Sequence, residues 1–226
     1  MCSTHQPGPE VRSILSGGPF GEVLLGLNIL NFPYRWDGVL AAGELGCGVV
    51  AMNPLAGGAI PSHEQALSFL ARDGETATDA AIRFLVSCPQ VAVALIGFAT
   101  REHIDQACRV ADTATPFTDA ELDEFRAQLG RNMDAMCTGC GYCTGCPRNI
   151  PIPGYMQVYN EKQIFGADEA EMKRQMQHHH SWGWLVGRQA AAAECIECGV
   201  CEEACTQHLP IVDRLREMAG WEQSSS

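Results

Sequence analysis

Eight of the twelve cysteines in this 226-residue chain stand in two tight runs: Cys137, Cys140, Cys143, Cys146, and then Cys195, Cys198, Cys201, Cys205. The runs read CTGCGYCTGCP and CIECGVCEEAC, spaced C-x2-C-x2-C-x2-C-P and C-x2-C-x2-C-x3-C. Three thiolates at that spacing can wrap one iron–sulfur cube and leave its fourth corner to a cysteine arriving from elsewhere. Two such runs make the pattern of two [4Fe-4S] clusters, in which the last cysteine of each run ligates the other cluster. One cluster would then use Cys137, Cys140, Cys143 and Cys205, and the other Cys195, Cys198, Cys201 and Cys146. Gly139, Gly141, Gly145 and Gly199 lie between these cysteines, where a missing Cβ lets amide N–H groups approach sulfur. Pro147 follows the first run, whereas Thr206 follows the second, whose nearest proline is Pro210. Two four-thiolate zinc sites are the alternative, since C-x2-C pairs also suit tetrahedral zinc. Zinc usually takes two well-separated pairs, so tandem triplets favour clusters, with a disulfide framework ranked below both.

The other cysteines, Cys2, Cys47, Cys88 and Cys108, sit in apolar or helical contexts, and the last three are expected to be buried, inert thiols. His178, His179 and His180 are expected on a solvated loop. Trp182 and Trp184 are expected to pack the connection between the runs onto the cluster domain, with His208 filling space beyond the second run.

The elements that position these residues change character along the chain. Glu22 to Leu30, Cys47 to Met52 and Val91 to Gly97 are short apolar runs of the kind buried parallel strands show. Trp36 to Leu45, His63 to Ala71, Thr78 to Cys88 and Thr100 to Ala111 carry helical spacing, and strands alternating with helices indicate parallel βα units. Thr118 with Glu121 three residues on is a capping-box signal for the helix DAELDEFRAQL. Beyond it lie cysteine runs, Pro/Gly turns and helix-prone sequence, with Ala190 to Glu194 leading into the second run. The composition therefore places a boundary near 115/116, giving an α/β region over 1–115 and an all-α region over 116–226. The cysteine runs form a loose internal repeat.

With 46% hydrophobic residues the chain can bury a core, and its net charge of −12 with pI about 4.9 argues against nucleic acid or anionic lipid as partners. The opening CSTHQPGPE has neither the basic nor the apolar region of a secretory signal, and the apolar runs are too short to span a bilayer. Twelve cysteines without such a signal point to a reducing, cytoplasmic setting.

Taken together, the chain resembles the aldo/keto reductase-like proteins that carry a C-terminal helical 4Fe-4S domain. CTGCGYCTGCPRNIPIPGYMQVYN and CIECGVCEEACTQHLPI are the most specific stretches. CSTHQP resembles the end of the family's fifth barrel strand, VLLGLNILNF the sixth, GVVAMNPLAGG the seventh, and ALIGFATREHIDQA the eighth with its helix. The resemblance implies a partial (β/α)8 TIM-barrel segment over 1–115, followed by a helical dicluster ferredoxin-like domain over 116–226. A whole barrel takes roughly 250 residues, so the resemblance also implies a truncated member with two open strand edges. The family's catalytic Asp, Tyr, Lys and His have no counterpart here, and no catalytic residue is assigned.

The part of the family's nicotinamide surface that does have a counterpart comprises Asn53, Leu55, Ala56, Gly57 and Gly58, with Gly97, Thr100 and His103 at a helix start that suits an anion. The resemblance thus implies NADP(H) as a further cofactor. His103 stands where many relatives have a basic phosphate contact, Ala107 where many have an Asn, and Met52 replaces an aromatic, all of which weaken that grip. Read without the family, NPLAGG is a Gly-rich strand-to-helix loop. Three functions stay open: an iron–sulfur oxidoreductase with a small-molecule substrate, a non-catalytic electron carrier docking on a redox partner protein, and a nonfunctional fragment.

Overall fold

The computed structural model describes residues 1–129, 136–187 and 190–222. The chain divides into two compact units, Met1–Asp134 and Ala135–Ser226.

The first unit is a repeating strand–helix chain. Strands β1 (Cys2–Thr4), β2 (Glu22–Gly26), β3 (Gly48–Met52) and β4 (Val91–Ala94) lie side by side in sequence order, every pair parallel. Helices α1 (Gly8–Ser16), α2 (Phe32–Glu44) and α4 (Ala77–Val86) connect or cover them, with the four-residue α3 (Ala59–Ser62) ahead of α4. α5 (Arg101–Thr113) follows β4. Side chains alternate across a strand, so Val23 and Leu25 of β2 and Val49 and Ala51 of β3 share one face, and all four are fully buried. β1 and β4 form the edges of this sheet, and Val93 and Leu95 at the β4 edge are exposed.

Local chemistry fixes where the helices begin. Thr76 accepts from the Asp79 amide while Asp79 accepts from the Thr76 amide, a reciprocal cap that starts α4. Thr100 caps α5 the same way from one side, accepting from the His103 amide. α1 has no polar cap and starts on Pro7 and Pro9, which is why helical spacing alone did not reveal it. The expected helix over 63–71 is a series of turns ending in a single 3-10 turn at Ser68–Leu70. Its Glu64 is instead drawn to the start of α4, where its carboxylate accepts from the amides of Ala77 and Thr78.

The capping box at Thr118 does open a helix, α6 (Asp119–Leu129). By contacts it belongs with the first unit, so the division falls at 134/135 and not near 115/116. Phe117 sits between Phe84, against which it is tilted, and Phe125, which it meets edge-on, and Arg72 joins Glu121 at 2.8 Å. The composition change near Thr115 therefore marks the end of strand–helix alternation and not the edge of a packed body.

The second unit has no strand among its described residues. It is built on α7 (Ile152–Phe165), α8 (Glu169–Trp182), the short α9 (Val200–Glu203) and α10 (Ile211–Glu222). Tyr155, Met156, Val158, Met172, Ile211, Leu215 and Met218 form its fully buried centre, with the cysteines packed around it. The three histidines are helical rather than on a loop. His179 is buried with Nε2 3.0 Å from Glu161, and His180 Nε2 lies 2.9 Å from Glu222. Trp182 does not pack down: it is 83% exposed, and Trp184 is exposed too. Cys47 and Cys88 are buried as expected, but Cys108 is exposed, because Ala107 and Val110 turn the inner face of α5 away from it. Among the described residues no helix is long and apolar enough to cross a membrane.

Candidate metal centres

Each cysteine run begins as a chain of tight turns, and the two runs follow one backbone plan. Gly139 and Glu197 take left-handed φ values of 70° and 55°, and each residue's amide faces the sulfur two positions earlier. The Gly139 N–H thus donates to Cys137 Sγ at 3.4 Å, and the Glu197 N–H to Cys195 Sγ at 3.4 Å. Gly141 and Gly199, with φ of 78° and 77°, open the short helical turns that carry Cys143 and Cys201. After the last cysteine of each run comes another left-handed residue, Asn149 or His208, whose amide donates to Cys146 or Cys205. Ile150-Pro151 and Leu209-Pro210 then lead into α7 and α10. The repeat seen in the cysteines therefore runs on into the first turn of each helix, and Pro210 is the counterpart of Pro151.

This plan brings the runs together crosswise. Cys137, Cys140, Cys143 and Cys205 line one hollow, with Pro153 and Met156 of α7 and Leu209 and Ile211 beside α10. Cys195, Cys198, Cys201 and Cys146 line the other, with Ile152 of α7 and Val212 and Leu215 of α10. The two hollows are tight and closely matched, each leaving a cavity of about 10 Å³ between protein atoms. Cys143, Cys201 and Cys205 are buried, and Cys198 reaches the surface.

The donors suit a cationic, metal-containing core. Burial pushes the thiols of Cys137 and Cys201 up to about 11 and that of Cys143 up to about 12, with neighbouring thiolates adding to the effect at Cys137 and Cys143. Such thiols shed their protons only to a strongly bound metal. Among the described residues, no three His, Cys, Asp or Glu side chains converge closely enough to hold a single ion.

Three further residues, silent in the sequence pattern, stand beside the first site. Asn160 on α7 accepts from the Cys137 amide and donates to the Cys137 carbonyl, both at 2.8 Å, and Gln157 Nε2 lies 3.8 Å from Cys137 Sγ. Arg214 on α10 is buried, its guanidinium 4.6 Å from the centre of the Tyr159 ring and within electrostatic reach of Cys137 and Cys205. Desolvation holds its pKa below the ordinary guanidinium value.

The first unit holds a different site. A cleft of about 510 Å³ opens at the ends of β3 and β4, lined by Asn53, Leu55, Gly57, Gly58, Gly97 and His103 together with Glu64, Phe98 and Gln106. Of the eight residues expected to meet a nicotinamide cofactor, Ala56 and Thr100 are not in the lining; Thr100 serves as the cap of α5. Asn53, Ala56, Gly57 and Gly58 all have left-handed φ, a sharply wound loop. Glu64 and His103 are the ionisable groups among the lining residues, and the Glu64 carboxylate already sits on the α4 amides of Ala77 and Thr78 at 2.6 and 3.1 Å.

Paired four-cysteine hollows on a helical scaffold define an iron–sulfur domain, and the comparisons agree. Residues 136–210 match the family of the 4Fe-4S dicluster domain. Among solved structures, the chain is similar to the aldo-keto reductase AKR11C1 from Bacillus halodurans in its apo form, at 19% identity and a TM-score of 0.44, covering 57% of this chain and 50% of that one. The holo form of the same protein gives 19% and 0.44, covering 57% and 49%. The chain thus spans about half the length of the structures it matches. No curated protein matches it.

Proposed function

We propose that this chain is an iron–sulfur oxidoreductase component that carries electrons one at a time through two [4Fe-4S] clusters. Cys137, Cys140, Cys143 and Cys205 hold the first cluster, and Cys195, Cys198, Cys201 and Cys146 the second. The observation that carries this reading is the crosswise grouping of the eight cysteines around two hollows of nearly equal size. Bound there, the clusters supply one-electron chemistry. The chain's own residues do the rest: the amides of Gly139 and Glu197 donate to sulfur and favour the thiolate, and the apolar ends of α7 and α10 keep water off both sites.

We read the first unit as a segment of a (β/α)8 barrel, supported by four parallel strands in sequence order with helices between them. Its cleft is ill-suited to NADP(H). No lysine or arginine is among the lining residues, and Glu64 puts a carboxylate at the α4 N-terminus, where a pyrophosphate would otherwise be drawn. This favours the electron-carrier reading, with a redox partner protein as donor or acceptor, over a nicotinamide-dependent carbonyl reductase. The cysteine-rich composition fits a reducing, cytoplasmic setting.

The deciding measurement is iron, acid-labile sulfide and zinc per chain in anaerobically purified protein, with EPR after reduction. About eight irons with matching sulfide are expected. Zinc without sulfide would end the electron-transfer reading. NADPH-dependent carbonyl turnover by the folded protein would overturn the carrier assignment.

A further inference from the structure

The repeat that builds the two sites is broken on its outer side. Run for run, Thr138, Gly139 and Tyr142 of the first correspond to Ile196, Glu197 and Val200 of the second. Counting from Pro151 and Pro210, Gln157 on α7 corresponds to Arg216 on α10. At the first site Gln157 leans over the turn. Its Nε2 lies 3.8 Å from Cys137 Sγ and 3.0 Å from where a Cβ on Gly139 would stand, and Cys140 is partly buried. At the second site Arg216 reaches outward to the Glu197 carboxylate at 2.8 Å, both side chains more than half exposed. Cys198, the counterpart of Cys140, is exposed.

Two aliphatic side chains flank that exposed ligand. Ile196 is 58% exposed and Val200 44%, and both also line the second hollow. The charge around them is acidic. Residues 194–203 hold Glu194, Glu197, Glu202 and Glu203 and no lysine or arginine. Val200 and Glu203 stand three apart on α9, which sets them on one face, and both are exposed. Arg148 answers Glu194 at 3.6 Å, and Arg216 answers Glu197 and Asp213 at 2.8 and 2.6 Å, so carboxylates outnumber guanidiniums. The residues lining the first hollow include no Asp, Glu, Lys or Arg among the described residues.

We propose that the face formed by Ile196, Cys198 and Val200 is where this chain docks its redox partner, a one-electron carrier protein whose own cofactor edge is ringed by lysines and arginines. The inference rests on the two-cluster reading given above and adds the port: electrons cross at the second cluster and not at the first. Electron transfer between proteins falls steeply with the distance between cofactors, so the ligand that reaches solvent marks the crossing point. Electron-transfer encounters bury little surface, below about 1,200 Å², so a small patch suffices. Its aliphatic centre excludes water on contact, and its charged rim steers the approach. An acidic rim on a chain of net charge −12 attracts a basic partner and repels an acidic one. Each crossing moves one electron between the second cluster and the partner's cofactor, with no bond made or broken.

The test is anaerobic stopped-flow oxidation of dithionite-reduced protein, freed of excess dithionite, by two probes: a basic c-type cytochrome and an acidic flavodoxin. Iron and sulfide are counted first in every variant. The rate constant with the cytochrome should fall as salt is raised, and that with the flavodoxin should rise. Glu203→Lys should lower the cytochrome rate constant roughly threefold at low salt and leave it unchanged at high salt. Ile196→Ser should lower it roughly fivefold at low and high salt alike, because its contribution is burial and not charge. Tyr142→Ser, the matching change at the first site, should have no effect. A cytochrome rate that rises with salt, or a loss with Tyr142→Ser in place of Ile196→Ser, overturns the inference. If every variant loads fully and none alters the rate, the docking face falls while the two-cluster reading stands. Wild-type protein without iron and sulfide would remove both.

Discussion

Asn160 shows how much of a metal site lies outside its ligands. Its carboxamide accepts from and donates to the backbone of Cys137, and it is itself buried. Asn160→Ala would leave a buried amide and carbonyl without partners, costing about 1–3 kcal/mol. We expect the variant to lose iron from the first site while the second loads normally, seen as about half the wild-type iron and loss of one EPR signal. The ligands themselves should behave as a crossed set. Cys140→Ala should lose the first cluster and leave the second partly intact, Cys198→Ala the reverse, and unchanged iron in either variant would contradict the assignment. The cysteines announce themselves in the sequence because three ligands to one group must lie within a few residues of each other. Asn160 and Arg214 do not, because each meets its site only after α7 or α10 has folded across it.

Among the elements, α6 is where the chain's local signals and its packing part company. Thr118 and Glu121 announce the helix start, yet nothing local says which unit the helix joins. That is decided by Glu121, whose second task is to accept from Arg72 at 2.8 and 3.0 Å. The Arg72 hydrogen bonds, helped by the Thr118 amide and hydroxyl, hold the Glu121 carboxyl down to about 2. A depressed carboxylate contributes its stability above the unfolded value near 4.5 and loses it as pH falls toward 2. Both side chains are partly exposed, so the effect should stay under about 1 kcal/mol. Arg72→Gln should therefore lower the first unit's Tm at pH 6, with the gap to the wild type narrowing as pH falls from 4.5 toward 2; a gap that stays constant across that range would rule the pairing out. Arg83 is the firmer anchor. It is almost fully buried, pairs with Glu75 at 2.9 Å and stacks 3.6 Å from the Phe117 ring centre. Arg83→Met should cost about 3 kcal/mol by leaving Glu75 uncompensated, read as a fall in the urea midpoint. The strand–helix order of this unit was legible because parallel strands must be apolar on both faces. α1, begun by proline without a polar cap, was not, and nor was the run 63–71, whose helical spacing yields to Glu64 capping α4.

At the scale of the whole molecule, the two units are stabilised by different means. The first buries a continuous apolar layer between its sheet and helices, with Val23, Leu25, Leu27, Val49, Phe32 and Leu85 at or near zero exposure. The second is smaller, and six of its core-packing positions are cysteines around the two hollows. Metal ligands must be gathered and deprotonated to bind, and only folding of this unit gathers the two runs. Cluster binding is then folding free energy for the second unit and not for the first. Heating or urea should accordingly give two transitions in loaded protein. Removing iron with an anaerobic chelator should abolish or strongly lower one of them, with a loss of helical circular dichroism, and leave the other where it was. A single transition indifferent to iron would mean that the helical unit folds on its apolar centre alone, around Tyr155, Met156 and Leu215, and that the clusters are passengers in it.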